Sequence, residues 1–419
     1  MLCPPVVNPA TYSPRLFERL AESSNEMWRA GLGGWSDYWA GAVGRGATPW
    51  GVATDAARYW SAATRREQPE WHSEHEVVLE CQFARLRDFS AGTRSKVVPT
   101  LVLPPQAGHD SCIVDFSPSQ SQMKVIRAAG LKRAFSLDWI GATPETAGTT
   151  VDDYLAFIRR SIEHIGGPVN LVGDCQGGWL ATIYAALHPE DVHTLTIAGA
   201  PIDFHAGDAV IYDWVETLAG GKRDLAFYRW VVERGGGVLR GEHMLNGFIL
   251  IKPENEVAKH AQLLSRLHDD GHMERHRAFE TWFKHTQDIA GAFYLWIVEH
   301  LFTNNELVRG ELEIGGEVVD LRRVKCPLYL LAGEKDHITP PAQVFALGDF
   351  ASTPADNVTT RTTSGGHLGL FMGGEALREH WRPILSAVYE RSRAGADRPI
   401  AERRARRQTV RARPAIPAP

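Results

Sequence analysis

Val169-Asn170-Leu171-Val172-Gly173-Asp174-Cys175-Gln176-Gly177-Gly178-Trp179-Leu180 passes from a short apolar run, through a glycine-flanked turn, into a helical stretch that reaches Tyr184 and Leu187. The pattern Gly-x-Cys-x-Gly-Gly is that of a sharp strand-to-helix turn with a nucleophilic residue at its apex. The apex residue must adopt a strained backbone conformation. Side chains two residues before or after it would collide with the adjoining strand and helix, so glycine is required there. Cys175 then stands at a helix N-terminus, where the dipole and free N–H groups favour a thiolate. The N–H of Gln176 is placed to meet a developing oxyanion.

Outward from this turn, Thr100–Leu103, Cys112–Phe116, Arg133–Leu137 and Val169–Val172 read as strands, with the partly alternating Val77–Leu86 before them. Helical-length stretches at Ser119–Gly130 and Thr149–Ile165 separate them, the second opening on a capping signal. Strand and helix alternate, which implies a mainly parallel sheet covered on both faces. Thr194–Ala198 continues the pattern, which resumes at Pro327–Ala332 and Val358–Thr362.

A nucleophile on such a turn needs an acid after a late strand and a histidine after the last strand, in that order. Gly333-Glu334-Lys335-Asp336 offers Asp336, and Ser364-Gly365-Gly366-His367 offers His367. The expected fold is therefore α/β, an α/β-hydrolase fold with a helical cap insertion and an N-terminal helical extension. The second oxyanion donor is expected in the loop after Leu101–Leu103, from the backbone N–H of Gln106 or Ala107, because Pro104 and Pro105 have none. His109 and Trp179 are the candidate substrate contacts, with a structural hydrogen bond the competing reading for His109.

The expected organisation has five parts. Residues 1–71 form a helical extension, 72–202 and 321–392 the two parts of the hydrolase core, 203–320 a helical cap, and 393–419 a disordered basic tail. The first 71 residues hold six of the 13 tryptophans, broken by Gly31-Leu32-Gly33-Gly34, which suggests short aromatic helices. Packing on the main domain and a surface for an apolar partner are the two readings of that layer. A net charge of −5 gives no overall attraction to nucleic acid, and a mean hydropathy of −0.23 is that of a soluble chain. No apolar run long enough to span a membrane and no secretory leader is seen, so a cytoplasmic location is expected. The five cysteines are scattered, with no Cys-x-x-Cys pair. His268, His272 and His276 share a helical spacing, but Gly271 and the surrounding acids read as a solvated segment, so no metal is expected. Gly235-Gly236-Gly237 lacks the strand-to-helix context of a phosphate cradle.

The cysteine box, Pro104-Pro105, Ile113-x-Asp115-x-x-Pro118-x-x-Ser121, Asp138-Trp139, Thr150-x-Asp152-Asp153-Tyr154, Asn304-Asn305-x-Leu307 and Asp336-His337-Ile338 resemble the polyhydroxyalkanoate synthase family and its uncharacterised synthase-like relatives. Gly178-Trp179 and Gly366-His367-Leu368-Gly369 look closer to the uncharacterised group, and partly to intracellular polyester depolymerases. The resemblance implies Cys175 as nucleophile, His367 as base and Asp336 as its orienting partner, with no bound cofactor. It implies an acyl-coenzyme A or polyester substrate, and it leaves open a homodimer or association with storage granules. Three functions remain in view: a 3-hydroxyacyl transferase, a thioesterase or depolymerase with the same triad, and a non-catalytic granule-surface module.

Overall fold

Residues 14–65, 67–219 and 224–396 are described by the structure, a computed structural model. The chain opens with α1 (Pro14–Gly44) and α2 (Pro49–Thr64). Where the glycines at 31, 33 and 34 predict a break, α1 runs straight through them. Gly34 lies so close to the chain at Ala261 that a β-carbon there would come within 2.4 Å of the Ala261 side chain. Its role is helix-to-helix approach, and the neighbouring helix supplies the stability that glycine forgoes. Thr48 caps α2 by accepting the Gly51 N–H, with Pro49 at the first helical position.

Six strands, β1 (Glu76–Glu80), β2 (Ala84–Asp88), β3 (Thr100–Leu103), β4 (Ala134–Trp139), β5 (Val169–Asp174) and β6 (Val192–Ala198), join Leu328–Gly333 and Val358–Thr363 in one sheet. Its order is β1-β2-β4-β3-β5-β6, then 328–333 and 358–363. β2 is antiparallel to both neighbours, and the rest of the sheet is parallel. Val77–Leu86 is thus a hairpin rather than one strand. With α3 (Gln122–Ala128), α4 (Val151–Ile165) and α5 (Gln176–Leu187) in the crossovers, this is the α/β-hydrolase fold. Thr150 and Asp153 close a reciprocal capping box at the start of α4.

Alternation along the strands divides the core between the two faces of the sheet. Leu101, Leu171, Leu195 and Leu330 lie in one apolar cluster, and Val102, Val172, Ala198 and Leu331 in the other. One expectation fails here. Cys112–Phe116 is apolar enough for a strand, yet residues 111–115 form a short 3-10 turn. The Asp110 side chain caps it at the Cys112 N–H, and the Asp115 carboxylate is held by Ser73 and Ser121. Side-chain acceptors supply the bonds that a sheet neighbour would have given.

Between β6 and Leu328 the chain forms α6 (Val210–Leu218), α7 (Ala226–Arg234), α8 (Gly241–Ile251), α9 (Pro253–Ser265) and α10 (Asp270–Lys284). The N-terminal helices pack on this insertion: α1 lies along α9, and α2 against α9 and α10. Tyr59 and His260 share a 3.1 Å hydrogen bond across the contact, and His268 pairs with Asp55 at 2.9 Å. The outer face of the pair keeps Trp28, Trp35, Trp50 and Trp60 more than half exposed. The last helix ends at Ala396, and the basic stretch beyond it, like Cys3, lies outside the described residues.

Candidate active site

The turn between β5 and α5 has the geometry its glycines require. Cys175 sits at φ 51°, ψ −120°, a conformation that costs an L-residue free energy and is held in place by its surroundings. A β-carbon on Gly177 would lie 2.0 Å from the Leu103 carbonyl oxygen, and one on Gly178 2.3 Å from the Ala200 side chain. A β-carbon on Gly173 would meet the backbone of Gly177 and Gly178 at 2.5 Å. The Cys175 N–H donates to the Ala198 carbonyl at 2.9 Å, which ties the apex to β6.

Asp336 follows the strand Leu328–Gly333, and His367 follows Val358–Thr363. His367 Nδ1 and Asp336 Oδ2 are 2.7 Å apart, both groups buried. Asp336 Oδ1 accepts the N–H groups of Ile338 and Thr339, each at 2.9 Å. Burial works against charge on both residues. For Asp336 it is outweighed by the imidazole and these donors, so its pKa is lowered. Burial likewise pushes the imidazole down, but the Asp336 carboxylate, with the Cys175 side chain adding to it, holds it well above the ordinary histidine range. Gly199 forms the seat of the ring, because a β-carbon there would stand 3.3 Å from His367 Cε1. The fold therefore brings Cys175, His367 and Asp336 into one chain of contacts.

The remaining candidates divide. The end of β3 touches the elbow at Gly177, so the loop carrying Gln106 and Ala107 begins beside the Gln176 N–H. Gln106 and Ala107 are both buried. His109 is buried among Trp282, Phe283 and Phe248, its Nδ1 on the Ala107 carbonyl at 3.1 Å. Burial pushes it down to about 4, so it is an uncharged ring within an aromatic stack. Trp179 is buried in the apolar cluster on the other face of the sheet from Cys175, against Phe293 and Trp296. It is placed to pack the core rather than to touch a substrate. His268 is taken by Asp55, and no group of three metal-binding side chains occurs among the described residues.

Sequence reasoning passed over Thr339. Its hydroxyl donates to Asp336 Oδ2 or the Gly199 carbonyl, both at 2.9 Å, and lies 3.2 Å from His367 Nδ1. It thus links Asp336, His367 and the seat of the ring. A signal existed: Asp336-x-x-Thr339 is the spacing at which an aspartate accepts from the backbone two and three residues on.

Residues 87–390 match the family described as Protein of unknown function (DUF3141). The chain is 28% identical over 274 residues to the poly(3-hydroxyalkanoate) polymerase subunit PhaC of Allochromatium vinosum, covering 64% of this chain and 74% of that one. It is 27% identical over 361 residues to the subunit of the same name from Haloferax mediterranei, covering 83% and 71%. A carboxylesterase structure from Nitrososphaera gargenis aligns with a TM-score of 0.46 at 15% identity, over 76% of this chain and 99% of that one. The sequence similarities agree with the likeness carried by the cysteine box and its companion motifs.

Proposed function

The chain belongs to the DUF3141 family, and we propose that it is a cysteine acyltransferase acting on 3-hydroxyacyl-coenzyme A thioesters through a covalent acyl-enzyme. The observation that carries this reading is the hydrogen-bonded pair Asp336–His367 with Cys175, at a strained elbow, acting on the same imidazole. Similarity to polyester polymerase subunits supports the substrate class.

Cys175 Sγ attacks the thioester carbonyl as His367 takes the thiol proton. The oxyanion is met by the Gln176 N–H and by Gln106 or Ala107. Collapse breaks the bond to the coenzyme A sulfur, and His367 returns the proton to that leaving thiolate. An acyl-enzyme and free coenzyme A result. Exchange of one thioester for another is near thermoneutral, which suits a thiol nucleophile. His367 next deprotonates the 3-hydroxyl of the incoming chain, which attacks the acyl-enzyme, extends the ester and regenerates the thiol. Asp336 fixes the tautomer of the ring and stabilises the imidazolium throughout.

Water as acceptor would make the same triad a thioesterase. Incubation with 3-hydroxybutyryl-coenzyme A and longer homologues, following free thiol and product size, separates the two. The transferase reading expects coenzyme A release with growing polyester. Release without polymer leaves a thioesterase, and no release rejects both.

A further inference from the structure

Asp174 ends β5, one residue before the nucleophile, and is 0% exposed. Its Oδ1 accepts one bond, from Gln122 Nε2 at 3.3 Å, and its Oδ2 has no partner. Gln122 Oε1 is buried without a partner as well. Another buried carboxyl nearby shows what such a group can gather. Asp115 accepts the N–H and hydroxyl of Ser73 and the hydroxyl of Ser121, the residue next to Gln122. Asp174 receives only a long bond from an uncharged amide. A carboxylate so poorly solvated is unstable in an apolar interior, whereas the protonated acid is not. A proton on Oδ2 would turn that atom into a donor and let it reach for Gln122 Oε1, the other orphan, while Oδ1 accepts from Nε2.

We infer that Asp174 is a neutral acid joined to Gln122 in a two-bond acid–amide ring, a positioning device that ties β5 to α3 and keeps negative charge from forming beside Cys175. The inference rests on the reading of Cys175 as nucleophile. Burial pushes the Asp174 carboxyl up to about 8, against smaller pulls from Gln122 and His367. α3 brings Gln122 to this end of β5, while β3 and β6 bring the apolar Leu103 and Ala198. Among the described residues, His367 is the charged group that acts on Asp174, with Cys175 next in the chain. Once the carboxyl ionises, the ring opens and a like charge beside Cys175 disfavours the thiolate that attacks.

Two measurements on the intact protein test this. Infrared difference spectra of wild type against Asp174→Asn are expected to show the carbonyl stretch of a protonated buried carboxyl at pH 6.5, lost with a midpoint near pH 8. No such band at pH 6.5 overturns the inference. Gln122→Met removes both bonds of the ring, so the carbonyl stretch at pH 6.5 is expected to shift to the higher frequency of an acid without these bonds, and an unshifted band overturns the pairing. Iodoacetamide labelling of the Cys175 peptide from pH 6.5 to 10 then reads the positioning role. The rate ratio of Asp174→Asn to wild type is expected to grow at least about threefold across that range, as a single nearby charge would produce. A flat ratio overturns the role. Should Asp174→Asn not fold, the wild-type infrared titration and Gln122→Met still decide. None of these uses an acyl substrate, so failure of the acyl-transfer reading and failure of this one are distinguishable.

Discussion

Two regions of the molecule set buried histidines beside carboxylates, and they hold their protons in opposite ways. At the elbow, Asp336 is bonded by two backbone N–H groups, the Thr339 hydroxyl and His367, with no lysine or arginine of the described residues among its partners. Its charge is spent on the imidazole, which is raised well above the usual range in spite of burial. On the insertion, His276 acts with Glu280, but Lys259 and Lys284 both pair with that carboxylate. Burial then outweighs Glu280, and His276 falls to about 4. The difference is competition for the acid. A histidine that has the carboxylate to itself becomes a strong base, and one that shares it with two ammonium groups becomes an uncharged packing residue.

The sharpest way to break this comparison is to remove each histidine. His367→Ala, like Cys175→Ala, is expected to lower coenzyme A release from an acyl thioester by about 10³-fold or more. His276→Ala is expected to leave release within about threefold. Equal losses in steady-state assays would reject the distinction. Asp336→Asn is expected to cost about 10²- to 10³-fold, because the amide no longer stabilises the imidazolium. Thr339→Val removes one hydrogen bond to the acid and is expected to cost about tenfold, roughly 1.4 kcal/mol. On the insertion, Lys259→Met removes one of the two ammonium groups paired with buried Glu280. It is expected to lower stability by about 2 kcal/mol in urea unfolding with little change in turnover.

The smallest effect is the pH response of local stability. The folded pKa of His276 lies below its unfolded value of about 6.5, so its contribution is full above that value and is lost as pH falls toward about 4. The shift of His367 is upward, so its contribution is full below about 6.5 and is lost only as pH rises through its folded pKa. Hydrogen exchange between pH 7 and 4.5 should therefore loosen α10 before the loop at residues 364–368. Loosening in the reverse order would show that the two histidines are not held as described.

Some of this was legible in the sequence and some was not. Gly173, Gly177 and Gly178 stand where a β-carbon would strike backbone or a core side chain, so the elbow is a local requirement written as residue type and spacing. Asp336 and His367 are legible for a similar reason, since each follows a strand of recognisable character on a glycine-rich turn. Gly34 was misread as a break, because its purpose, the approach of Ala261, lies more than 200 residues away in the chain. Cys112–Phe116 was misread as a strand, because carboxylates at Asp110 and Asp115 offered the backbone and its neighbours a different set of bonds. Trp179, one turn beyond Cys175, faces the opposite cluster, which helical phase and the packing of the insertion decide.

The sequence alone determined the α/β-hydrolase class and the glycine-flanked turn that carries Cys175, because those depend on backbone geometry over a few residues at a time. Only the tertiary structure decided that the N-terminal helices rest on the insertion, that Thr339 links Asp336 to His367, and that Asp174 meets Gln122 across 52 positions of chain. Proton affinity and packing depend on which groups share a buried space, and the fold brings those groups together from distant parts of the chain.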